Sequence, residues 1–109
     1  MNAPTRAKAA PVFAALGDKT RLLIVARLCE DGPLSIARLT DGSKISRQAV
    51  TKHLGALSKS GLVRSELTGR ERIFRLEAKR LAETRRYLDL ISEQWDEALD
   101  RLRAFVEMD

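Results

Sequence analysis

One stretch of the chain, SRQAVTKHLGALSKSGLV, has both its ends and both its faces marked by residue type. Ser46 is a good N-cap, and Gly61 suits the left-handed residue that closes a helix. Between them, Val50, Leu54 and Leu57 follow the i, i+4, i+7 spacing that places apolar side chains on one helix face. The sequence therefore predicts a helix of roughly four turns with one buried face and one polar face.

Shorter elements come before this helix. The segment VFAALGDKTRLLIVARLCEDGP predicts a helix that ends near Leu16, then a second helix that Asp18 caps and Gly32-Pro33 stops. Ser35 can cap a short third helix, after which TDGS forms a turn. Helix, tight turn and second helix in this order predict a helix-turn-helix, whose second helix usually enters the major groove of DNA.

The segment after the polar-faced helix, LVRSELTGRERIFRL, changes to β-compatible residues on both sides of Thr68-Gly69. It predicts a two-stranded hairpin, although its imperfect alternation fixes neither the register nor the turn type. Arginines are concentrated near the tip, with Arg70 and Arg72 closest to the turn. A hairpin appended to a helix-turn-helix is a wing.

The end of the chain, from Ala78 onward, contains no glycine or proline, which predicts one long helix. Two interleaved sets of apolar residues recur there every seven positions: Leu81, Leu88, Trp95 and Leu102, and Ile91, Ala98 and Phe105. A heptad seam of this length needs a partner surface, and the simplest partner is the same helix of a second chain. Packing back onto its own domain is the alternative.

The small size of the chain favours a dimer, and the distribution of its charge favours a polyanionic partner. A chain of 109 residues is one small domain, which gains from extra burial. Residues 1–80 carry 16 Lys and Arg against 7 Asp and Glu, net +9, and residues 81–109 carry 4 against 8, net −4. Because the positive charge surrounds the polar helix face, we expect a polyanionic partner; a solvated basic surface is the alternative.

Membrane and disulfide chemistry find little support in the sequence. The longest apolar run, Leu22–Ala26, is far too short for a membrane span, and the N-terminus lacks a signal-peptide core, so we expect a cytoplasmic protein without a membrane partner. Cys29 is the single cysteine, which excludes an intramolecular disulfide. Because it lies near the apolar side of its helix, we expect a buried, inert thiol; a redox switch across a dimer is the alternative.

Four segments together resemble the ArsR/SmtB-type winged-helix transcriptional regulators: ALGDKTRLLIVARL, GPLSIARL, ISRQAVTKHLGALSKSGLV and TGRERIFRL. The resemblance implies a mainly α fold with a small β-hairpin, a winged helix-turn-helix that dimerises through its first and last helices. It also implies a homodimeric repressor that binds an inverted-repeat operator in double-stranded DNA. The helix after Ser46 is then the recognition helix. The last helix resembles that of the subgroup whose members lack metal sites.

The resemblance also implies an organisation and an interface. We expect a flexible tail over residues 1–10, the winged helix-turn-helix over residues 11–77 and a dimerisation helix over residues 78–109. The first and last helices then supply the expected dimer interface: Val12, Phe13, Leu88, Ile91, Trp95, Ala98, Leu102 and Phe105.

Eight residues are expected to contact DNA: Ser46, Arg47, Gln48, Thr51, Lys52 and His53 from the recognition helix, and Arg70 and Arg72 from the wing. Glutamine can pair with adenine, and arginine or lysine with guanine or a phosphate. For each residue singly, a solvated surface position is the alternative. Two positions depart from the family pattern: Gln48 replaces a common proline, and Gly55 stands where a basic residue is frequent. Gly55 either admits a close approach of DNA or only tolerates packing.

Other chemistries have little support. Metal-sensing members of the family carry cysteines on the helix before the recognition helix, or Asp, His and Glu ligands on the last helix. Here the helix before the recognition helix has no cysteine, and the last helix has no histidine. We therefore expect no bound metal. The sequence shows no nucleophile paired with a base and no glycine-rich phosphate loop. We therefore expect no cofactor and no enzymatic activity. A small-molecule or redox effector stays open. The alternative function is a protein-interaction module that uses the acidic last helix, with DNA binding secondary.

Overall fold

The computed structural model describes residues 5–108, and three helices in it begin where the sequence marks their caps. Asp18 Oδ1 accepts hydrogen bonds from the backbone N–H groups of Thr20 (2.9 Å) and Arg21 (3.0 Å). The hydroxyls of Ser35 and Ser46 each accept from the N–H three residues on, at 3.2 and 3.1 Å. These bonds satisfy N–H groups that have no partner inside the helix. The three predicted helix starts are confirmed.

Within residues 5–108 the chain forms five helices and three strands. In chain order they are α1 (Arg6–Leu16), α2 (Lys19–Asp31), β1 (Leu34–Ser35), α3 (Ile36–Thr40), α4 (Arg47–Lys59), β2 (Val63–Thr68), β3 (Glu71–Leu76) and α5 (Ala78–Glu107). Helices α3 and α4 are the helix-turn-helix, and the β2–β3 hairpin is the wing. No helix among the described residues is long and apolar enough to cross a membrane.

The wing is part of a sheet that the sequence did not predict in full. Strand β1 pairs antiparallel with β3, so the described residues form a three-stranded sheet in the order β1-β3-β2. Leu34 lies opposite Phe74, and both side chains are buried. A strand of two residues is too short to show any alternation, which is why β1 was missed. It attaches the base of the wing to the helix-turn-helix.

The turn of the wing has the geometry that its glycine favours. Thr68 pairs with Glu71, so Gly69 and Arg70 form a two-residue loop. Gly69 has a φ of 64°, and Arg70 is not among the positive-φ residues. A positive first and a negative second φ are the signs of a type II′ turn, which matches the right-handed twist of the strands. The predicted hairpin is confirmed, and its register and turn type are now defined.

The core lies where α1, α2, α4 and the sheet meet. Its buried side chains include the predicted face of α4, together with residues from every neighbouring element: Val12, Ala15, Ile24, Leu28, Leu34, Leu39, Val50, Leu54, Leu57, Leu62, Val63 and Phe74. Val12 is 0 % exposed within its own chain. It therefore has no surface left for a second chain to cover, and its expected place in a dimer interface is wrong.

Helix α1 begins earlier than the sequence indicated. It starts at Arg6, where the Thr5 hydroxyl accepts from the Lys8 N–H (3.3 Å), and Ala9 is buried. The predicted tail boundary at residue 10 is therefore wrong; the rest of that tail, residues 1–4, lies outside the described residues. The alanine-rich start of α1 has no apolar periodicity of its own. It lies beside Thr84 of α5, a contact between distant parts of the chain that the sequence does not reveal.

Helix α5 is one continuous helix of 30 residues, as predicted, and is roughly 45 Å long at 1.5 Å per residue. Its first half packs against α1, where the rings of Phe13 and Tyr87 lie 6.3 Å apart. Among the described residues of α5, Thr84 alone is buried. The second half of the helix has no buried residue, and the described chain, including α5, is 69 Å along its longest axis.

Candidate nucleic-acid interface

Helix α4 has the two faces that its sequence predicts. Val50, Leu54 and Leu57 are at most 1 % exposed and fix the helix against the core. The opposite face is exposed, and it carries Arg47, Gln48, Thr51 and Lys52, with Gly55 one turn further along. Ser46, also exposed, uses its hydroxyl as the N-cap, so its contribution to a ligand site is limited to the oxygen's remaining hydrogen-bonding capacity.

The long side chains of this face have no partner among residues 5–108. No ion pair or hydrogen bond within that range engages the side chains of Arg47, Gln48 or Lys52. Thr51 is the exception, because its hydroxyl donates to the Arg47 carbonyl oxygen (2.9 Å). That bond leaves the Thr51 methyl group and the oxygen lone pairs for other contacts. The face thus presents two cations and one amide on a rigid helix.

His53 lies at the edge of this face, half-buried, and is positioned by α2. Its Nδ1 lies 3.4 Å from Nη1 of Arg21. Because a guanidinium can only donate, Nδ1 accepts, and the ring hydrogen is carried by Nε2. Arg21 is itself held by the Ala15 carbonyl oxygen, to which its Nε donates (2.6 Å). Sequence reasoning missed Arg21, because the contact joins residues 32 positions apart and leaves no local signal.

Arg21 also acts on the cap of its own helix. Its backbone N–H donates to the Asp18 carboxylate. This hydrogen bond, helped by the guanidinium charge of Arg21 and by the N–H of Thr20, holds the pKa of Asp18 below its ordinary value of 3.8. The carboxylate is therefore ionised at neutral pH, and α2 keeps its charged cap beside His53.

Two arginines at the base of the wing are paired with acids. Arg64 lies 3.3 Å from Glu77, and Arg75 lies 2.7 Å from Glu66. All four side chains are partly exposed, so these pairs add little stability. Their effect is to neutralise the positive charge of the base.

The two arginines predicted to contact DNA lie at the tip of the wing on either side of Glu71, and the three residues together carry a net charge of +1. Arg72 donates from Nη1 to the Ser65 hydroxyl (3.1 Å), a neutral partner that orients the guanidinium and leaves its charge. Arg70 occupies the turn, and its side chain has no ion pair or hydrogen bond within residues 5–108. The polar face of α4 and, with a smaller net charge, the tip of the wing are thus both positive.

A second exposed surface lies along α5. The residues expected at the dimer interface, apart from Val12, are exposed or half-buried: Phe13, Leu88, Ile91, Trp95, Ala98, Leu102 and Phe105. Trp95 is 63 % and Phe105 77 % exposed. Leu81, Val106 and Met108 extend the same apolar surface. So much apolar area on one helix is unusual for a surface that remains in water.

Cys29 differs from the sequence expectation. Its side chain is exposed, so the predicted buried thiol is wrong. Cys29 lies on the outer face of α2, one position beyond the buried Leu28, and helical spacing alone does not resolve that difference. Among residues 5–108 no group of three or more His, Cys, Asp and Glu side chains could hold a metal ion. Metal independence stays a prediction.

The chain is similar to known regulators of transcription. A family model described as a helix-turn-helix domain matches residues 16–66, which span α2 to β2. The HTH-type transcriptional regulator Rv2034 of Mycobacterium tuberculosis is 39 % identical over 85 residues, which cover 78 % of this chain and 76 % of the relative. An uncharacterized HTH-type transcriptional regulator of Methanocaldococcus jannaschii is 37 % identical over 62 residues, 57 % of this chain and 70 % of the relative.

Solved structures extend the similarity to the whole fold. An ArsR-like transcriptional regulator from Rhodococcus sp. RHA1 superposes with a TM-score of 0.81 at 39 % identity, covering 91 % of this chain and 92 % of the other. The transcriptional repressor BigR from Xylella fastidiosa superposes with a TM-score of 0.60 at 28 % identity, covering 73 % of this chain and 83 % of the other. The described architecture, a helix-turn-helix with a wing and a long last helix, agrees with these matches. This chain belongs to the ArsR-type winged helix-turn-helix family of DNA-binding transcriptional regulators.

Proposed function

We propose that the protein is a homodimeric transcriptional repressor that binds an inverted-repeat operator in double-stranded DNA. The polar face of α4 is the observation that carries the proposal, because it is held rigidly by a fully buried opposite face and its cations have no partner in the described part of the chain. A helix presented in this way can reach base edges in the major groove with its N-terminal half. The similarity to the repressor BigR favours repression over activation.

Each predicted DNA contact has a chemical role in this proposal. Arg47 and Gln48, at the start of α4, read guanine and adenine edges, while Thr51 contacts a thymine methyl or a phosphate. Lys52 neutralises a phosphate. His53 donates from Nε2 to a phosphate oxygen, since its Nδ1 is engaged by Arg21.

The remaining contacts position the helix. Ser46 donates its hydroxyl hydrogen to a backbone phosphate while its oxygen caps α4. Arg70 and Arg72 enter the neighbouring minor groove or meet its phosphates, where a narrow groove attracts arginine.

Dimerisation is proposed from α5. Its exposed seam continues past the end of α1, and no other element within residues 5–108 covers it. A second copy of α5, with Phe13 of α1 at the margin, buries Leu88, Ile91, Trp95 and the apolar residues that follow in heptad order. A two-fold dimer places two copies of α4 on one face of DNA, which matches an inverted repeat. The second half of each α5 then lies in the dimer interface. We also propose that the protein has no enzymatic activity.

The first test is selection of bound sequences from a random DNA pool, with the mass of the protein measured by sedimentation in the same buffer. We expect a dimer that enriches an inverted repeat with half-sites about 34 Å apart, one turn of DNA. A dimer that enriches no sequence contradicts the assignment of α4. A monomer that enriches none favours a protein-interaction module that uses α5.

A charge-matched pair of variants then locates the contacts. Arg47→Ala with Lys52→Ala removes four cations per dimer from the DNA face, and Lys79→Ala with Arg103→Ala removes four from α5. Each phosphate contact contributes about 0.9 to the slope of log K against log salt, so loss of the two Lys52 contacts in a dimer flattens the slope by about 1.8. The second variant leaves it nearly unchanged. Equal slopes in the two variants exclude the α4 face as the site.

Further features of the proposal are negative or organisational. We propose that the winged helix-turn-helix binds DNA, that residues 78–109 pair the subunits, and that the protein acts in the cytoplasm without a metal or cofactor. Addition of Zn²⁺ at buffered free concentrations is expected to leave operator affinity unchanged. Metal-dependent release of the operator contradicts metal independence without affecting the DNA-binding assignment.

A further inference from the structure

A cavity of about 350 Å³ lies between α2 and the turn that joins α3 to α4. We call it the turn cavity. Leu23, Ile24, Leu39, Ile45 and Val50 give it apolar walls. Three of these walls are buried core residues, whereas Leu23, at the mouth, is 63 % exposed. A volume above about 300 Å³ and a largely apolar lining are typical of small-molecule sites.

The rim of the turn cavity offers one cation to an anionic ligand. Arg27 is immobilised on one side, because its Nη1 donates to the carbonyl oxygens of Arg38 and Leu39 at 3.2 Å each. Its Nε also lies 3.6 Å from a carboxylate oxygen of Asp31, and this ion pair offsets its charge. Lys44, on the turn, has no ion pair or hydrogen bond from its side chain within residues 5–108. Asp41 is the acid on the same rim. Because Arg27 is already paired with Asp31, Lys44 is the cation of this rim that a ligand's carboxylate can meet.

We propose that the turn cavity binds a small organic carboxylate with an aromatic or short aliphatic body. The carboxylate meets Lys44 at the rim, and the body packs against Leu23 and Ile24. Burial of apolar ligand surface supplies most of the affinity, and the ion pair selects the anion over a neutral analogue.

The site is placed to affect recognition of DNA, a step that rests on the proposed function. Ile45 and Val50 lie on either side of the cap that starts α4, and both are walls of the turn cavity. A ligand held between α2 and these residues makes different contacts whenever α4 shifts against α2. Any such difference couples the two sites, and DNA then changes ligand affinity by the same factor as ligand changes DNA affinity.

Binding is tested first on the protein without DNA. Probes are 2-naphthoate, its neutral analogue 2-naphthamide, and octanoate, each titrated to millimolar concentration while methyl NMR signals are recorded. We expect 2-naphthoate or octanoate to shift the methyl signals of Ile24, Ile45 and Val50. Absence of shifts at these methyls with all three probes overturns the proposal.

Matched variants identify the two halves of the site. Leu23→Gln should weaken both naphthalene probes, whereas Leu22→Gln, at a neighbour that is 51 % exposed and does not line the turn cavity, should weaken neither. Lys44→Gln should weaken 2-naphthoate about five-fold, the factor for one exposed ion pair, and leave 2-naphthamide unchanged. Lys79→Gln is its charge control. Equal effects of the two lysine variants overturn the carboxylate assignment.

Failure of this proposal is distinguishable from failure of the proposed function. Methyl shifts in a protein that selects no DNA support the ligand site and contradict the repressor. Operator binding by a protein whose methyls do not respond gives the reverse result. Where both activities are present, 2-naphthoate should change operator affinity in the wild type and in Leu22→Gln, and Leu23→Gln should lose the effect. A change that persists in Leu23→Gln contradicts coupling through the turn cavity.

Discussion

Gly55→Ala should stabilise the protein and weaken its binding to DNA. Gly55 is exposed in the interior of α4, and a Cβ built there meets no described atom within 4 Å. Alanine in place of glycine in a helix interior gains about 0.8–1.0 kcal/mol, because it restricts the unfolded backbone. For a domain of this size the gain corresponds to a rise in Tm of about 4 °C.

The second half of that prediction rests on the position of Gly55 on the polar face. The space beside Gly55 is empty of described atoms, so packing does not require a glycine there, although packing tolerates one. We propose that the glycine admits a close approach of DNA, since Gly55 follows Thr51 and Lys52 on the same face. A methyl group at this position should then reduce operator affinity several-fold.

Gly61→Ala is the matched substitution with the opposite sign. Gly61 has a φ of 84°, and its Cβ would lie 2.9 Å from Nε of Arg80. The left-handed conformation costs a residue with a side chain about 1–2 kcal/mol, while the end of the Arg80 side chain can move aside. We expect Tm to fall by at least about 4 °C.

Thermal unfolding followed by circular dichroism measures both variants, at one protein concentration because pairing makes Tm depend on concentration. Operator affinity is measured in parallel by fluorescence anisotropy. A lower Tm for Gly55→Ala refutes the helix argument. A higher Tm with unchanged operator affinity refutes the proposal that Gly55 admits a close approach of DNA.

Three further predictions concern pairing, pH and the core. Trp95→Asp should give a monomer by sedimentation with an unchanged helical spectrum, because the indole is 63 % exposed in the single chain; a stable dimer would place the interface elsewhere. The folded pKa of Asp18 is lowered, so its stabilising effect is present above pH 3.8 and lost as the pH falls through the folded value. Asp18→Asn, which keeps the cap without the charge, should lack this component in urea unfolding measured against pH. Leu57→Ala should cost about 2–5 kcal/mol in urea unfolding, since Leu57 is 0 % exposed; a loss below about 1 kcal/mol would contradict its central place in the core.

Local signals were sufficient for most of the secondary structure. The caps at Asp18, Ser35 and Ser46 act over three residues or fewer, so their effect is readable from adjacent letters. The polar face of α4 was equally predictable, because it is the complement of an apolar stripe with helical spacing. These local signals could not show which residues of other elements contact each helix face. Arg21 positions His53 from another helix, and no local pattern records that contact.

The outcome at α1 shows the same limit for burial. Val12 and Phe13 are adjacent apolar residues, and the sequence assigned both to a dimer interface. The structure separates them, since Val12 is buried in the core and Phe13 lies beside Tyr87 at the surface. Apolar character predicts that a side chain will be covered. Whether its own chain or a second one covers it depends on the packing of α1 against α5.

The junction between the wing and α5 relates the proposed dimer to the proposed operator. Strand β3 ends at Leu76 and α5 begins at Ala78, so Glu77 is the entire linker. Its N–H donates to the Leu62 carbonyl oxygen (2.8 Å), and its carboxylate pairs with Arg64 of the wing. A helix joined this tightly cannot turn independently of the DNA-binding elements. In the proposed dimer, the way two α5 helices pair therefore fixes the distance between the two α4 helices. Variants that move the apolar heptad residues of α5 by one position along the helix should change the preferred spacing between half-sites more readily than they change the preferred bases.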